Sequence, residues 1–454
     1  MRKVHFIAIG GQGMSGIARI LLSKGYQVTG SDLKRSGLTE KLEQLGATVH
    51  IGHRAENLGD PDVVVVSSAI HDANPELALA KEKAIPIIHR MDMLLEAVTG
   101  KRTVAVAGAH GKTTTTSMIA WILEKAGMDP TYLVGGEIGD EGNAHPGSGD
   151  WAVFETDESD GSFLKAHPDI AVATNIDDDH LDYWGSVDVL ERAFFQFLDG
   201  VRAGGAAVVC ADDPRLSSWS SGRTHAQTYG FSQGAEWQAR DAGTSGWSSS
   251  ARIFRSGEEV ATLHLTVPGH HNVQNAVGAI AAACGAGVKP RVAASLLESF
   301  PGVRRRLERV GEIGGVLVLD DFAHHPTEIA ASLTAVKRAL PGREVTVLFQ
   351  PHRYSRTRLL CREFGEALSV AAHVVVTGIY AGPGEAVEPG VTAEFISEAV
   401  REAGHPSVHL AEELWKAAEL AVRLTQKGGV LVTMGAGDIW KVHGAVLEVL
   451  RERQ

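Results

Sequence analysis

The stretch Val104-Ala-Val-Ala-Gly-Ala-His-Gly-Lys-Thr-Thr-Thr-Thr116 decides the fold of this chain. The small and β-branched residues from Thr103 to Ala107 predict a buried strand. A short glycine loop, Gly108 to Gly111, follows that strand, and Lys112 with four threonines then opens a helix. Backbone N–H groups at such a helix start face an anion and the helix dipole favours negative charge there, so the stretch predicts a phosphate-binding loop.

The chemistry of this loop suits ATP or GTP together with Mg²⁺. In such loops the lysine bridges the terminal phosphates, and the hydroxyl that follows it takes a place on Mg²⁺. The usual pattern has a glycine five residues before the second glycine, but Val106 stands there. The loop is therefore shorter than that of ordinary phosphate-loop ATPases, which points to a particular subfamily. The predicted ATP-binding residues here are Gly108, Ala109, His110, Gly111, Lys112, Thr113 and Thr114.

Composition limits the class of protein. With 454 residues and 44% hydrophobic content, the chain is expected to form two or three domains with packed cores. The net charge of −12 disfavours a nucleic-acid partner. Three widely separated cysteines give neither a metal-site spacing nor a disulfide framework. No run of 18 apolar residues and no signal-peptide cleavage site is present, so we expect a cytoplasmic protein with no membrane partner.

Strand and helix patterns alternate almost throughout, which predicts an α/β fold. The pattern restarts after Gly100 and again after Gly302. We therefore predict three domains: a Rossmann-like domain over 1–100, a central phosphate-loop ATPase-like domain over 101–302 and a doubly wound α/β domain over 303–454. Residues 215–265, rich in Ser, Gly and Trp, are expected to be antiparallel strands and loops. A single helix is expected over 357–370.

A second glycine loop, Gly11-Gln-Gly-Met-Ser-Gly16, follows the first predicted strand and opens a helix. Asp32 ends the next strand, where a dinucleotide-binding fold places an acid on the ribose. This pattern suggests NAD or FAD. Physically it requires only a diphosphate on the helix N-terminus, so a nucleotide-sugar diphosphate fits equally well. A tight turn without a ligand is the remaining alternative.

Acidic runs follow two strands of the predicted central domain. One residue of Glu155-Thr-Asp-Glu-Ser-Asp160 would hold Mg²⁺, because this ion prefers oxygen ligands and carboxylates at strand ends lie where α/β sheets bind ligands. In Asn175-Ile-Asp-Asp-Asp-His180, His180 is a candidate ligand of a second Mg²⁺. The alternatives are a solvated acidic turn and a structural histidine.

Further candidates are amides and arginines. The amides of Asn272 and Asn275 would read an adenine edge, with helix capping by Asn272 as an equally good explanation. An arginine of Arg304-Arg-Arg306 would clamp phosphates, unless this is a solvated basic turn. Arg353 and Arg356, after another strand, would pair with carboxylates.

Together these motifs resemble those of the Mur ligases of bacterial peptidoglycan synthesis. The resemblance covers nearly the whole chain and is strongest to the branch that joins L-alanine to UDP-N-acetylmuramate. Nine ordered motifs carry it: Gly10 to Gly16, Ser67 to Pro75, Gly108 to Thr114, Asp157 to Asp160, Asn175 to Asp182, Pro268 to Asn275, Asp320 to Glu328, Phe349 to Thr357 and Gly435 to Asp438.

The resemblance implies a three-domain, ATP-dependent amide ligase, a monomer or weak homodimer. It assigns Lys112, His180, Arg353 and Arg356 to catalysis, Thr113 and Glu155 to one Mg²⁺, and His180 to the second. Asn272 and Asn275 would meet adenine, Arg306 a phosphate and Asp321 the ribose, while His352, Arg353 and Arg356 would place the amino acid and the substrate carboxylate. The implied UDP-substrate residues are Gly11, Gln12, Gly13, Met14, Ser15, Asp32, Ser67 and His71.

Two positions depart from the family pattern, and three alternatives remain. Phe195 stands where many Mur ligases have a carbamoylated lysine, which fits the alanine-adding branch and makes His180 more important. Phe322 replaces a usual tyrosine and lacks its hydroxyl. The alternatives are the branch that adds a cell-wall tripeptide to UDP-N-acetylmuramate, a nicotinamide dehydrogenase suggested by Gly11 to Asp32, and a non-catalytic nucleotide switch.

Overall fold

The computed structural model describes residues 2–139, 141–382 and 385–453. The strands of these residues form three sheets, of five, ten and six strands. Contacts divide the chain into two compact units. Unit 1 contains the chain up to Ala242 with Ser250–Leu265 and Asn272–Pro301, and unit 2 contains Gly243–Ser249, Thr266–His271 and the chain from Gly302 onward.

The first sheet is parallel and has the order β3-β2-β1-β4-β5. Its strands are β1 (Lys3–Ile7), β2 (Gln27–Asp32), β3 (Thr48–Ile51), β4 (Val63–Val66) and β5 (Ile87–His89). Its helices are α1 (Gln12–Ser23), α2 (Gly37–Gln44), α3 (Pro75–Glu82) and α4 (Arg90–Ala97), with a 3₁₀ turn at Ala55–Leu58. The strand order reverses at β1, so the carboxyl end of β1 is the point where open α/β sheets bind ligands.

The second sheet has the order β15-β14-β13-β12-β11-β10-β6-β9-β7-β8. Its strands are β6 (Arg102–Ala107), β7 (Thr131–Ile138), β8 (Gly142–Pro146), β9 (Trp151–Glu155), β10 (Ile170–Ala173), β11 (Ala206–Cys210), β12 (Ala226–Gly230), β13 (Trp237–Ser245), β14 (Ser248–Arg255) and β15 (Glu258–Leu265). The helices of this part are α5 (Lys112–Lys125), α6 (Leu181–Trp184), α7 (Val187–Asp199), α8 (Pro214–Ser220), α9 (His270–Gly285) and α10 (Pro290–Leu296), with 3₁₀ turns at Ser162–Lys165 and Leu297–Ser299. Because β6 pairs in parallel with both β9 and β10, their carboxyl ends surround the lysine-containing loop.

The third sheet lies in unit 2 and has the order β16-β17-β21-β18-β19-β20. Its strands are β16 (Glu308–Ile313), β17 (Val316–Asp321), β18 (Val345–Phe349), β19 (His373–Val376), β20 (Val408–Leu410) and β21 (Val430–Met434). Its helices are α11 (Pro326–Ala339), α12 (Tyr354–Leu359), α13 (Cys361–Leu368), α14 (Glu394–Glu402), α15 (Leu414–Leu424) and α16 (His443–Glu452), with a 3₁₀ turn at Ile439–Val442. Only β16 pairs antiparallel in the described part of this sheet.

Both faces of the third sheet are buried, which explains its continuous apolar strands. Side chains of β17 alternate between two cores: Leu317 and Leu319 pack in one, and Val316 and Val318 in the other. Helices α11, α13 and α14 cover the first core, while α15 and α16 cover the second. This two-sided burial confirms the predicted α/β class.

Two predicted segments differ from the structure. Residues 215–265 are mostly strands, but helix α8 begins at Pro214, because Asp213 caps its first turn and proline suits that position. The single helix expected over 357–370 is two helices, interrupted at Leu360, which packs against a core of unit 2. The boundaries of the three predicted domains stay a prediction.

In the described part of the chain, no helix is long and apolar enough to cross a membrane.

Candidate active site

The lysine-containing loop connects β6 to α5 and is held in shape by the segment that follows β10. Asn175 accepts a hydrogen bond from the His110 amide at 2.8 Å and donates one to the His110 carbonyl at 3.0 Å. The Asn175 carbonyl accepts from the Ala109 amide at 3.1 Å, and the His110 ring lies 2.8 Å from an Asp177 oxygen. These hydrogen bonds to the segment after β10 fix the conformation of the loop.

Two glycines of this loop adopt conformations that L side chains rarely take. Gly108 has φ of 144°, and a β-carbon there would lie 1.9 Å from the Thr174 hydroxyl oxygen. Gly111 has φ of 80°, and its β-carbon would lie 2.7 Å from Asn275 Oδ1. A residue with a side chain would be strained at either position, so both positions require glycine.

Lys112, the first residue of α5, forms a buried ion pair. Its Nζ lies 2.7 Å from Glu158 Oε1 and also donates to the carbonyls of Gly108 and Ala109. Burial lowers the pKa of Lys112, but Glu158, with smaller effects from neighbouring acids, raises it above its usual value, so the lysine stays charged. Burial raises the pKa of Glu158 to about 7, although Lys112 opposes this.

Thr113 and Glu155 bring two oxygen atoms to one place, beside Gly135. A β-carbon on Gly135 would lie 1.9 Å from Glu155 Oε1 and 3.1 Å from Thr113 Oγ1. The Glu155 carboxylate can therefore take this position only because residue 135 has no side chain. A hydroxyl and a carboxylate are the hard oxygen donors that Mg²⁺ prefers, so these residues fit the predicted ion.

The ring of His180 also lies near Glu158. Its Nε2 is 3.9 Å from Glu158 Oε1 and 3.6 Å from Asp179 Oδ2. The residue has a left-handed backbone conformation, with φ of 58°, and directly precedes α6. Lys112, Glu158 and His180 therefore form one cluster at the carboxyl ends of the central strands.

Asn272 and Asn275 are both buried on α9. Asn275 lies against Gly111 of the loop, as the close approach of its side-chain oxygen shows. The structure thus brings Asn275 to the phosphate loop itself. The adenine contact of both amides stays a prediction. The ring of Phe195, which the sequence comparison with the family predicts to stand in place of the lysine, lies 6.5 Å from that of Trp219.

The first glycine loop joins β1 to α1, and Gly11 is the residue before the helix. Asp32 Oδ2, at the end of β2, accepts a hydrogen bond from the Gly10 amide at 2.9 Å. Gln12 is exposed, whereas Met14 and Ser15 point into the fold and can meet a ligand only through their backbone. Asn143 donates to the Gln12 carbonyl at 2.8 Å, which fastens this loop to the second sheet of unit 1.

The predicted residues Ser67 and His71 follow β4, the neighbour of β1. Ser67 is half-buried and His71 is exposed. Both therefore lie after the carboxyl end of the strand next to the first loop. Their contacts with a UDP-substrate stay a prediction.

In unit 2, the Asp321 carboxylate lies inside the fold and is hydrogen-bonded to the surrounding protein. It is buried, and its carboxylate accepts hydrogen bonds from the Leu307 amide at 2.8 Å, the Ala323 amide at 2.7 Å and the Ser332 hydroxyl at 3.2 Å. Burial raises its pKa to about 6, and Arg306 opposes this. Asp321 thus fixes the turn that precedes β16, while its contact with ribose stays a prediction.

Arg305 and Arg306 lie over the ring of Phe322, with guanidinium carbons 5.0 and 5.1 Å from its centre. An aromatic face attracts such cations without needing a hydroxyl. Arg306 also lies 3.6 Å from a Glu328 oxygen. Phenylalanine therefore orients the predicted phosphate-binding arginine although the family's hydroxyl is missing.

The second arginine cluster of unit 2 follows β18. Arg356 is buried, and its Nη1 lies 3.4 Å from His352 Nδ1. The His352 ring stacks on Tyr380 with centres 6.0 Å apart. Arg353 has φ of 71°, an unusual conformation for arginine, fixed by its amide donating to the Tyr380 carbonyl at 2.9 Å. The structure thus brings His352, Arg353 and Arg356 together.

Three residues that shape the site have no individual role in the sequence prediction: Glu158, Asn175 and Arg90. The acidic run contains Glu158, but no spacing rule pairs it with Lys112. Asn175 lies in a quoted motif and braces the loop instead of touching a ligand. Arg90 carried no motif, and its ion pair with Asp157, at 2.6 Å, depends entirely on tertiary contact.

Family models match three successive stretches of the chain. They are described as the catalytic domain of the Mur ligase family over residues 3–102, the Mur ligase middle domain over 106–283 and the glutamate ligase domain of Mur ligases over 305–437.

Proteins of known name are similar over the whole length. A UDP-N-acetylmuramate–L-alanine ligase of Desulfosudis oleivorans is 45% identical, covering 98% of this chain and 97% of that protein. The crystal structure of a UDP-N-acetylmuramate–alanine ligase from Thermotoga maritima is 30% identical with a TM-score of 0.85, covering 100% of both chains. A murein peptide ligase from Psychrobacter arcticus is 25% identical with a TM-score of 0.74, covering 99% of both.

Proposed function

The chain belongs to the Mur ligase family, and from that premise we propose that it joins L-alanine to the carboxylate of UDP-N-acetylmuramate in peptidoglycan precursor synthesis, converting ATP to ADP and phosphate. One observation carries the proposal. Unit 1 has two glycine loops, each after a strand that pairs in parallel with both of its neighbours, and only one of them is followed by a lysine with acids beside it. Two such loops are suited to two nucleotides: one that is only bound, and one whose phosphoryl group is transferred.

The first step activates the carboxylate, because an oxide ion is too poor a leaving group for direct amide formation. A carboxylate oxygen of UDP-N-acetylmuramate attacks the γ-phosphorus of ATP, the bond to the β-phosphate oxygen breaks, and ADP leaves. Lys112 then exchanges its contacts with Glu158 and the loop carbonyls for phosphate oxygens, and its charge stabilises the transferring group.

Thr113 and Glu155 are the residues that we propose to hold Mg²⁺, with His180 as a candidate for a second ion. The bound ion supplies positive charge to the phosphate oxygens during transfer. Gly135 supports this assignment, since a β-carbon there would collide with the Glu155 carboxylate close to the Thr113 hydroxyl.

In the second step the amine of alanine attacks the acyl carbon, and phosphate leaves from the tetrahedral intermediate. The amine must first lose a proton, and we propose that a carboxylate or histidine within residues 321–325 accepts it. Arg353 and Arg356 would orient carboxylates, since guanidinium groups pair with them through two parallel hydrogen bonds. Because the reaction consumes ATP, we also propose a cytoplasmic location; the oligomeric state stays a prediction.

The test is phosphate release measured with all combinations of ATP, UDP-N-acetylmuramate and amino acid. We expect release only when ATP, UDP-N-acetylmuramate and L-alanine are present together. Glycine and L-serine, added instead of L-alanine, measure the amino-acid selectivity. A matched reaction with the cell-wall tripeptide tests the recycling alternative.

Each other outcome would assign a different function to this chain. Release with tripeptide but not with alanine would assign the recycling reaction. Hydrolysis of ATP that neither substrate changes would favour a nucleotide switch, and tight NADH binding would favour a dehydrogenase.

A further inference from the structure

Two consecutive acids, Asp212 and Asp213, follow β11 in the second sheet and lie outside the motifs that resemble those of the Mur ligases. On its two sides β11 pairs in parallel with β10 and β12. Because parallel strands end at the same edge of a sheet, the two acids lie beside the segments that follow both neighbouring strands. Each acid is hydrogen-bonded to a different one of these segments.

Asp213 is bonded to the segment after β10. Its Oδ2 accepts a hydrogen bond from the Ile176 amide at 2.8 Å, while its Oδ1 caps α8 by accepting from the amides of Arg215 and Leu216 at 2.9 and 3.0 Å. The Arg215 guanidinium donates to the Ile176 carbonyl at 2.9 Å. Both backbone polar groups of Ile176 are therefore held by the start of α8.

This attachment fixes the segment that carries the candidate metal ligand. Ile176 directly follows Asn175, whose side chain is hydrogen-bonded to the lysine-containing loop, and it precedes His180 by four residues. A shift of the Ile176 backbone would therefore move the neighbours on both sides. Asp213 and Arg215 thus set where this segment lies relative to the loop.

Asp212 is bonded to the segment after β12 and to α9. Its Oδ1 accepts from the Ser232 amide at 2.7 Å, and its Oδ2 accepts from the Phe231 amide at 2.8 Å and from the Gln274 side chain at 2.6 Å. Gly230 makes room for this carboxylate, since a β-carbon there would lie 2.4 Å from Asp212 Oδ2. The chain thus leaves space for an acid that joins a strand end to a helix.

The helix that Asp212 holds is the one with the predicted adenine-binding amides. Gln274 lies on α9 between Asn272 and Asn275. Asn275 in turn approaches Gly111 of the lysine-containing loop, where a β-carbon would lie 2.7 Å from its Oδ1. The bond from Gln274 to Asp212 therefore fixes the start of α9 against the sheet, on the side of β11 opposite to Ile176.

We propose that Asp212 and Asp213 are positioning residues of the ATP site and that they act on separate parts of it. Asp213 holds the segment of His180 for the metal ion, and Asp212 holds the amides of α9 for the nucleotide base. The proposal rests on the proposed function for the identity of the nucleotide and the ion. Each of the four carboxylate oxygens accepts a hydrogen bond from the protein, so the acids act through their neighbours.

The experiment measures two dissociation constants for the full chain and its Asp212→Asn and Asp213→Asn variants. One is that of ADP without metal, from calorimetry, and the other is that of Mn²⁺ for the ADP complex, from its paramagnetic resonance signal. Asparagine has one acceptor oxygen instead of two, so each variant loses part of its bonds. We expect Asp213→Asn to weaken Mn²⁺ binding by about 10-fold and ADP binding by less than about twofold. Asp212→Asn should do the reverse.

Changes at the partner residues test the same bonds without altering either acid. Arg215→Gln should weaken Mn²⁺ binding alone, and Gln274→Met should weaken ADP binding alone. Asp212→Asn combined with Gln274→Met should cost no more than the larger of the two single losses, because both variants remove one bond. Additive losses would contradict the positioning role of Asp212.

Asp199→Asn is the matched control. Asp199 is half-exposed, ends α7 and pairs with Arg223 at 3.3 Å, shortly before β11 begins and thus at the strand end opposite to the site. This variant should leave both dissociation constants unchanged, and the dissociation constant of UDP-N-acetylmuramate should stay unchanged in every variant, which shows that each is folded.

The separation of the two effects decides the outcome. Equal losses of ADP and Mn²⁺ binding in both acid variants would overturn the proposal, because they would indicate a general loosening of the sheet. Wild-type constants in both variants would overturn it as well. If the unaltered chain binds neither ADP nor Mn²⁺, the proposed function fails; if it binds both and ligates alanine while the variants do the same, only this inference fails.

Discussion

The two glycine loops of unit 1 share a position in their sheets but differ in charge. Each follows a strand that pairs in parallel with both of its neighbours, and each opens a helix. The loop before α5 has Lys112, a buried acid beside it, and two glycines with φ above 70°. The loop before α1 has no charged residue of its own, and Gly11 has an ordinary extended conformation with φ of −65°.

Under the proposed function, this difference in charge distinguishes a loop that binds a phosphate from a loop at which a phosphoryl group is transferred. A helix N-terminus binds a diphosphate well enough without a charged side chain in the loop. Transfer of a phosphoryl group needs preorganised positive charge where negative charge moves, and that charge must be kept in place before the substrate arrives. Glu158 does this for Lys112 at the cost of burying a carboxylate whose pKa rises to about 7.

The largest effect is expected from Lys112→Ala. Ligation should fall by about 1000-fold or more, because the transferring phosphoryl group loses its main side-chain cation. The dissociation constant of UDP-N-acetylmuramate should stay within about twofold, since its loop belongs to another sheet. Steady-state turnover and equilibrium binding check the two statements separately. Near-normal turnover would mean that the lysine loop is not the ATP site.

Matched glycine-to-alanine substitutions in the two loops test the difference between them. Gly108→Ala places a β-carbon 1.9 Å from the Thr174 hydroxyl at a φ of 144°, so we expect turnover to fall by about 100-fold. The matched change in the other loop, Gly11→Ala, meets no atom nearer than 3.6 Å. It should leave the Michaelis constant for ATP unchanged and affect only UDP-substrate binding. Equal losses of ATP use in both variants would remove the distinction between the loops.

Gly135→Ala tests the metal site with a smaller effect. The added carbon collides with the Glu155 carboxylate, so the Mg²⁺ concentration for half-maximal activity should rise by about 10-fold. Mg²⁺ titrations of the initial rate measure this. Gly37→Ala, at a helical position with open space around it, is the control and should behave as wild type. An unchanged Mg²⁺ requirement would place the ion elsewhere.

The smallest effect on activity is expected from Glu76→Gln, which supports the first sheet. Glu76 is buried and accepts hydrogen bonds from Ser31, Asn57 and the Arg54 amide, beside the His5 ring. The variant should lower the free energy of unfolding by about 2 kcal/mol. Turnover at 25 °C should stay within about twofold of wild type, because the network reaches the first loop only through the backbone bond from the Ile9 amide to the Ser31 carbonyl, which the substitution leaves in place.

The same network predicts a dependence of stability on pH. Burial raises the pKa of Glu76, but hydrogen bonds from His5, Ser31 and Asn57 outweigh this and lower it to about 2. Since the folded-state pKa lies below the usual value of 4.5, the stabilisation is present above pH 4.5 and is lost as the pH falls toward 2. Denaturant midpoints across this range should drop less steeply for Glu76→Gln. Parallel curves for both proteins would contradict the assignment.

The local pattern of the sequence predicts most of the reacting loop. Gly108 to Thr114 follow from strand and glycine spacing along the chain, and the acidic run 155–160 from its position after a strand, because parallel strands bring their carboxyl ends to one edge. The choice of Glu155 within that run came only from the family resemblance. The Lys112–Glu158 pair, at 2.7 Å, joins residues that are 46 positions apart, so only tertiary packing sets it. The burial of Asp321 could not be predicted from sequence either, since it depends on tertiary contacts with Leu307 and Ser332.

Helix α4, which carries Arg90, was absent from the sequence prediction for a local reason. Its cap is His89, which accepts from the Met91 amide, whereas the usual caps are Ser, Thr, Asp and Asn. Asp92 completes the cap by accepting from the His89 amide. A histidine cap gives no standard start signal, so the residue that faces the first loop could not be placed from sequence.

The most direct test of the account uses UDP-N-acetylmuramate labelled with ¹⁸O in its carboxylate. If the lysine loop activates that carboxylate, one labelled oxygen passes into the inorganic phosphate released with each molecule of alanine product. Mass spectrometry of the phosphate measures this transfer. The account predicts one ¹⁸O per phosphate at full labelling, and phosphate without the label would contradict it.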